Sequence, residues 1–134
     1  MASIDAIEGI GHKHATMLRK CGVRTTERLL KLAASKKGRR DLSERTRISE
    51  KTLLEWVNRA DLMRVKGVGE EYSDLLEAAG VDTVKELRRR NAGNLLATMV
   101  EVNAKKKLVR RLPTESMVGR WVDDAKSLDP VVGY

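Results

Sequence analysis

The 134-residue sequence predicts an all-α protein made of two tandem copies of one helical unit. Three observations predict it: an internal correspondence at a spacing of 58 residues, apolar residues recurring at helical intervals between capping signals, and no stretch that alternates apolar and polar. At the 58-residue spacing Ile4, Ile7, Gly9, Gly11 and Leu18 meet Leu62, Val65, Gly67, Gly69 and Leu76. Gly22, Val23, Thr25 and Leu29 then meet Gly80, Val81, Thr83 and Leu87. Further on, a spacing of 65 pairs Leu53, Trp56, Val57 and Ala60 with Val118, Trp121, Val122 and Ala125. The slip of seven residues puts an insertion in the second copy around 92–112. The expected organisation is a first repeat over 1–61, a second over 62–128 and a tail, 129–134, that packs over the last unit or serves in recognition.

Each element rests on its own signals. Residues 12–21 set Ala15, Leu18 and Cys21 on one stripe, and Gly22 comes next, where a left-handed C-cap belongs. Residues 70–79 repeat the arrangement with Tyr72, Leu75, Leu76 and Ala79 before Gly80. Thr25 and Thr83 stand as N-caps of helices over 26–34 and 84–91, and Thr83 with Glu86 has capping-box form. Gly38 is expected to break the chain before a short helix over 39–46. Ser49 caps a longer helix, 50–64, that presents Leu53, Trp56, Val57 and Ala60; helix 115–127, after Pro113 and Thr114, is its counterpart. Trp56 and Trp121 are expected to be matched core anchors, and Cys21 a core residue.

Composition narrows the function classes. Apolar residues make up 41% of the chain, enough for a core, but aromatics only 3% with no Phe, which argues against base-stacking platforms. No apolar run approaches the roughly 20 residues of a membrane span, and the N-terminus lacks the basic-then-apolar signature of a secretory signal. The single cysteine permits no internal disulfide and fits a cytoplasmic location. The net charge is +8, concentrated in residues 1–62, where fourteen bases face eight acids. Such an excess raises the odds of a polyanionic partner.

The stretch Ile7-Glu8-Gly9-Ile10-Gly11-His12-Lys13-His14-Ala15 and its partner Val65-Lys66-Gly67-Val68-Gly69-Glu70-Glu71-Tyr72-Ser73 hold the same apolar-x-Gly-apolar-Gly turn. Glycines permit positive φ and close backbone approach, the central Ile10 or Val68 anchors the turn inward, and a helix starting at the second glycine directs unpaired N–H groups outward. Those donors and the helix dipole suit a phosphate. Ala15 and Ser73 are small because two helices cross closely there.

This turn resembles the helix-hairpin-helix of many DNA-repair and recombination proteins, a SAM-like type of element. The resemblance implies sequence-independent contact with the DNA backbone through hairpin amides. More narrowly, nearly the whole chain resembles the uncharacterised domain of unknown function 4332 family. That likeness rests on Leu54 to Gly69, on Leu75 to Leu87, and on Val102-Asn103 together with Leu108 to Pro113. The family brings no established activity.

The two turns differ in charge. His12, Lys13 and His14 come after the first, which has the acid Glu8 beside it; Glu70, Glu71, Asp74 and Glu77 come after the second. Turn one is therefore expected to bind phosphate through Gly9, Ile10, Gly11, His12 and Lys13. Turn two, with Lys66, Gly67, Val68 and Gly69, is expected to be structural or to face a protein. Lys36, Lys37, Arg39 and Arg40, and Lys105, Lys106 and Lys107, are expected to line one face beside the hairpin and add phosphate contacts. Arg88 to Arg90 form a third basic group.

Other chemistry finds no pattern. His12 and His14 face roughly opposite ways on a helix and no second cysteine exists, so no metal or cofactor is expected. There is no nucleophile–base spacing and no phosphate-cradling Gly-rich loop of the Walker kind, so the chain is not expected to be an enzyme or to take a small-molecule substrate. The leading expectation is a DNA-backbone-binding protein. The alternative is a protein-interaction or self-associating scaffold that uses the fold for packing alone.

Overall fold

The computed structural model describes every residue except Met1 and Glu8. Among the described residues the chain is all-helical: α1 His12–Lys20, α2 Thr26–Ala33, α3 Lys36–Thr46, α4 Glu50–Leu62, α5 Glu70–Ala78, α6 Val84–Leu87, α7 Ala92–Lys106 and α8 Glu115–Lys126. A 3-10 turn, Ile4–Ala6, precedes them, and an isolated antiparallel bridge joins Ser3 to Thr25. The backbone divides into two compact units, residues 1–61 with 131–134, and residues 62–130.

In the first unit the N-terminal segment is tied to the start of α2, with Ile4 N–H donating to Arg24 O (2.9 Å) and Thr26 N–H to Ala2 O (3.1 Å). Thr25 caps α2 by accepting from Arg28 N–H, and Ser49 Oγ accepts from Thr52 N–H at the start of α4. The apolar stripes converge as their spacing requires: Ile4, Ile7, Leu18, Val23, Leu29, Leu53, Trp56 and Val57 are all buried. In the second unit the core is one cluster in which α7 and α8 pack together, α5 lies on α7 and α6 on α8. Leu62, Val65, Leu76, Val81, Leu87, Val118, Trp121 and Val122 occupy it. Every one of these stands at the 58- or 65-residue spacing from a buried residue of the first unit.

Local differences from the sequence expectations have physical causes. Gly38 does not break the chain. It lies in the first turn of α3, where its N–H donates to the cap Ser35 Oγ (3.0 Å), and a Cβ there would stand 2.0 Å from Leu32 O. Only glycine lets α3 start so close to α2. The helix expected over 84–91 ends at Leu87, beyond which Arg89 and Arg90 N–H donate to carbonyls three residues back, and the Arg90 side chain donates to Gly80 O (3.0 Å) and Glu86 (3.1 Å). The region around the insertion is helical, forming α7, which at 15 residues is longer than the 11-residue α3. The tail is divided: Asp129 stays with the second unit, its carbonyl accepting from Arg64 Nη1 (2.9 Å), whereas residues 131–134 pack on the first unit rather than the last, with Gly133 N–H donating to Ala34 O (2.8 Å) and Tyr134 hydroxyl to Asn58 Oδ1 (3.4 Å). Cys21, expected in the core, is half-buried at the C-cap of α1, and its carbonyl accepts from Arg45.

α3 and α7 end alike. Arg47 (φ 61°) and Lys107 (φ 51°) both take the left-handed conformation, and each N–H closes on the carbonyl four residues back. A side chain in that region costs about 1–2 kcal/mol that glycine avoids. Arg47→Gly is therefore expected to raise stability by about 0.5–1 kcal/mol in urea denaturation, the gain trimmed by the freer unfolded chain. An unchanged or lowered midpoint would contradict this account of the α3 terminus.

Candidate functional site

Both glycine turns adopt one geometry. In turn one Ile7 and Ile10 are buried, Ile10 N–H donates to Ile7 O (3.2 Å), and Gly9 has φ +93°. In turn two Val65 and Val68 are buried, Val68 N–H donates to Val65 O (3.0 Å), and Gly67 has φ +89°. The positive φ reverses the chain between two inward apolar anchors, which is what the glycine is for. Gly11 and Gly69 are then the N-caps of α1 and α5, in extended conformations and without a side-chain cap. Ala15 and Ser73 N–H close the first turns onto Gly11 O and Gly69 O, both at 2.9 Å, and both residues are buried.

The consequence lies at the start of α1. The N–H groups of a first helical turn have no intrahelical partner, and the N-cap residue of α1, Gly11, has no side chain to supply one. Gly11, His12 and Lys13 are exposed, and a Cβ placed on Gly11 would meet nothing within 4 Å. Elsewhere helix starts are closed: Thr25, Ser35, Thr83, Asn91 and Thr114 each accept from the N–H three residues on. The two glycine turns depart from that rule.

A tryptophan backs each turn. Trp56 Nε1 lies 3.7 Å from where a Cβ on Gly9 would stand, and Trp121 Nε1 lies 3.2 Å from the same point on Gly67. Each indole also packs against a ring from the next helix, His14 on Trp56 with centroids 5.4 Å apart and Tyr72 on Trp121 at 5.1 Å. His14 and Tyr72 are themselves 58 residues apart. These buried indoles fix the turns from behind, and His14 serves that packing while His12 and Lys13 face solvent.

Charge divides the turns. In unit two Asp124, on α8, accepts from Lys66 N–H through Oδ2 (3.1 Å), so a carboxylate already occupies a donor of turn two. Glu70 and Glu71 are exposed at the start of α5. Beside the turn lies a groove of about 630 Å³ lined by Lys66, Gly67, Met117, Arg120, Trp121, Asp123, Asp124 and Ser127. In unit one the position matching Asp124 is Arg59, whose Nη1 comes within 3.8 Å of the Cβ position on Gly9. The reversal at 59 and 124 is readable from the 65-residue spacing that pairs the tryptophans, because these residues stand three places beyond them. Glu8, the acid of turn one, lies outside the described residues.

The basic groups separate by role. Lys36, Lys37 and Arg40 are exposed in the first turns of α3. Cations at a helix N-terminus oppose its dipole, so helix electrostatics gives no reason for them. Lys105 and Lys106 lie in the last turn of α7 and Lys107 at its C-cap, where cations are favourable on structural grounds alone. The two groups sit at opposite ends of α3 and α7, not in corresponding inter-helix regions. Arg39 is not available to a ligand. It is buried, with Nη1 donating to Ala33 O (3.0 Å) and Ala34 O (2.8 Å) and Nη2 donating to Gly133 O. Burial pushes its pKa down, opposed by the acidic groups of Tyr134 and Glu50. Its role is to satisfy the C-terminal carbonyls of α2 and to hold the tail.

No helix among the described residues is long and apolar enough to cross a membrane. The family described as Domain of unknown function (DUF4332) matches residues 8–128. No curated protein matches the chain, and no solved structure does. The match spans most of the sequence, and the chain belongs to that family.

Proposed function

We propose that this family member is a non-enzymatic protein that holds the sugar-phosphate backbone of DNA without regard to base sequence, and that its two turns are helix-hairpin-helix elements. The observation that carries the reading is the start of α1: a glycine N-cap with no side chain to close the helix, open space above Gly11, and exposed His12 and Lys13 beside it. A phosphate there would accept from backbone N–H groups and gain from the helix dipole. Lys36, Lys37 and Arg40 supply further cations, and the single cysteine suits the reducing cytoplasm where such a polymer lies.

The test is a titration of fluorescent duplexes of two unrelated sequences between about 50 and 200 mM salt. Neutralising about four phosphates predicts a log–log slope near −3.6, at about −0.9 per contact, with similar affinities for both duplexes. Changing Lys13, Lys36, Lys37 and Arg40 to Gln should flatten the slope and weaken binding at least tenfold at the low-salt end. A slope near zero, or one unmoved by these changes, would defeat the reading.

A second reading has its own support in unit two, where Asp124 fills a donor of turn two and Glu70 and Glu71 stand exposed beside it. That surface repels a phosphate backbone and suits a basic protein surface, including that of a second copy. Size-exclusion at low salt separates the readings: the scaffold reading requires a larger species or a co-eluting partner in the absence of DNA.

A further inference from the structure

We infer that residues 131–134 are an autoinhibitory cover on Arg39: they occupy one nitrogen of its guanidinium, and their release adds that group to Lys36, Lys37 and Arg40 as a phosphate contact. This rests on reading the protein as a binder of the DNA backbone and adds a control built into the chain. The segment follows the second unit in sequence yet belongs to the first. Gly133 pairs through both sides of its backbone, with its N–H donating to Ala34 O (2.8 Å) and its carbonyl accepting from Arg39 Nη2. The Tyr134 hydroxyl donates to Asn58 Oδ1 (3.4 Å). Apolar packing holds the segment little, since Val131 is 42% and Tyr134 66% exposed and none of the four residues is in the buried core. It is therefore attached to unit one by a few polar bonds that can open without emptying that core.

What the segment covers is a charge without a counter-charge in contact. Arg39 is 4% exposed, and its hydrogen bonds run to three backbone carbonyls, with no carboxylate at ion-pair distance among the described residues. A carbonyl offers a buried cation only a dipole, whereas a phosphate offers a full opposite charge and oxygens that match the guanidinium fork. The two nitrogens have separate tasks. Nη1 is held by Ala33 O and Ala34 O at the end of α2, within unit one, and keeps the side chain in place whether or not the tail is there. Nη2 is held by Gly133 O of the tail. Residues three apart are neighbours on a helix surface, so Arg39 lies next to Lys36, which is exposed as Lys37 and Arg40 are. With the tail in place Arg39 takes no part in binding; with it released, Nη2 joins a surface that already carries three cations.

The experiment keeps the full chain and its net charge. Gly133→Pro removes the N–H given to Ala34 O and Tyr134→Ser the bond to Asn58, and the double variant is the released form. Duplex affinity is read by anisotropy between about 50 and 200 mM salt, with circular dichroism on each sample. Release should tighten binding about threefold or more at low salt and steepen the log–log slope by about 0.9, the value of one further phosphate contact. In the released form Arg39→Gln should abolish the gain and Arg39→Lys should keep most of the added slope. With the tail intact neither change should move affinity or slope, and that dependence of position 39 on the tail is a coupling that a purely structural Arg39 would not show. A folded double variant with unaltered affinity and slope, or a gain that survives Arg39→Gln, overturns the inference and leaves the binding reading intact. Loss of helical signal in the double variant overturns it too, because the segment is then part of the fold and not a cover. If the unaltered protein holds duplex with no salt dependence, it is the backbone-binding reading that falls.

Discussion

Replacing Arg39 with Ala is expected to cost about 2–4 kcal/mol of stability and to leave the DNA affinity of the folded fraction unchanged. The side chain is 4% exposed and donates to three carbonyls, Ala33 O, Ala34 O and Gly133 O. Two of these belong to the end of α2, where carbonyls have no intrahelical partner, and burial keeps water from replacing the guanidinium. Each buried acceptor left without a donor costs on the order of 1–3 kcal/mol, partly recovered by relaxation. Loss of the aliphatic stem from a packed site adds to this. Urea denaturation measures the effect. A change below about 0.5 kcal/mol, or a selective loss of DNA binding in a chain of unchanged stability, would return Arg39 to the binding surface.

That residue also shows where reading the sequence stops. In the run Lys36-Lys37-Gly38-Arg39-Arg40 nothing in composition separates the third base from its neighbours. Arg39 is buried by a tail residue 94 positions away and by the end of the preceding helix. Gly38 misleads for a related reason. A glycine after two lysines reads as a break, and only the Leu32 carbonyl 2.0 Å from its missing Cβ explains it as a close approach inside a helix. By contrast, features that depend on neighbours within one or two turns are legible. The caps Thr25, Ser49 and Thr83, the left-handed Gly22 and Gly80, and the inward Ile10 and Val68 all stand where local patterning puts them.

The site divides along the same line. The repeated glycine turn announces an open helix start, because the absence of Ser, Thr, Asp or Asn at Gly11 and Gly69 is itself written in the sequence. The contrast between the turns is visible in the residues after each one, His12-Lys13 against Glu70-Glu71. Its other half, the reversal at 59 and 124, is visible as a change of charge but not as a feature of the turns. The 65-residue spacing matches apolar residues, and the charges lying between them, Arg59 and Asp124, come to the turns only once α4 and α8 are folded against them. A hydrophobic repeat reports the features two units share. Their differences sit in the positions that such a repeat ignores.

The central claim is that the first-turn N–H groups of α1 are the phosphate contact, and Gly11→Asp addresses it with the fold held constant. Gly11 is extended (φ −76°, ψ 172°) with open space at its Cβ, so an aspartate fits without strain. It would cap α1 as the other helices are capped, adding a few tenths of a kcal/mol to stability. The same carboxylate would fill the phosphate position and repel a second anion. The measurement is duplex affinity and thermal midpoint on one sample of the variant, beside Gly69→Asp as the matched change in turn two. An unchanged or raised midpoint with affinity down at least tenfold at about 50 mM salt, and Gly69→Asp within twofold of the unaltered protein, is the predicted result. A folded Gly11→Asp chain that holds duplex as tightly as the unaltered protein would contradict it.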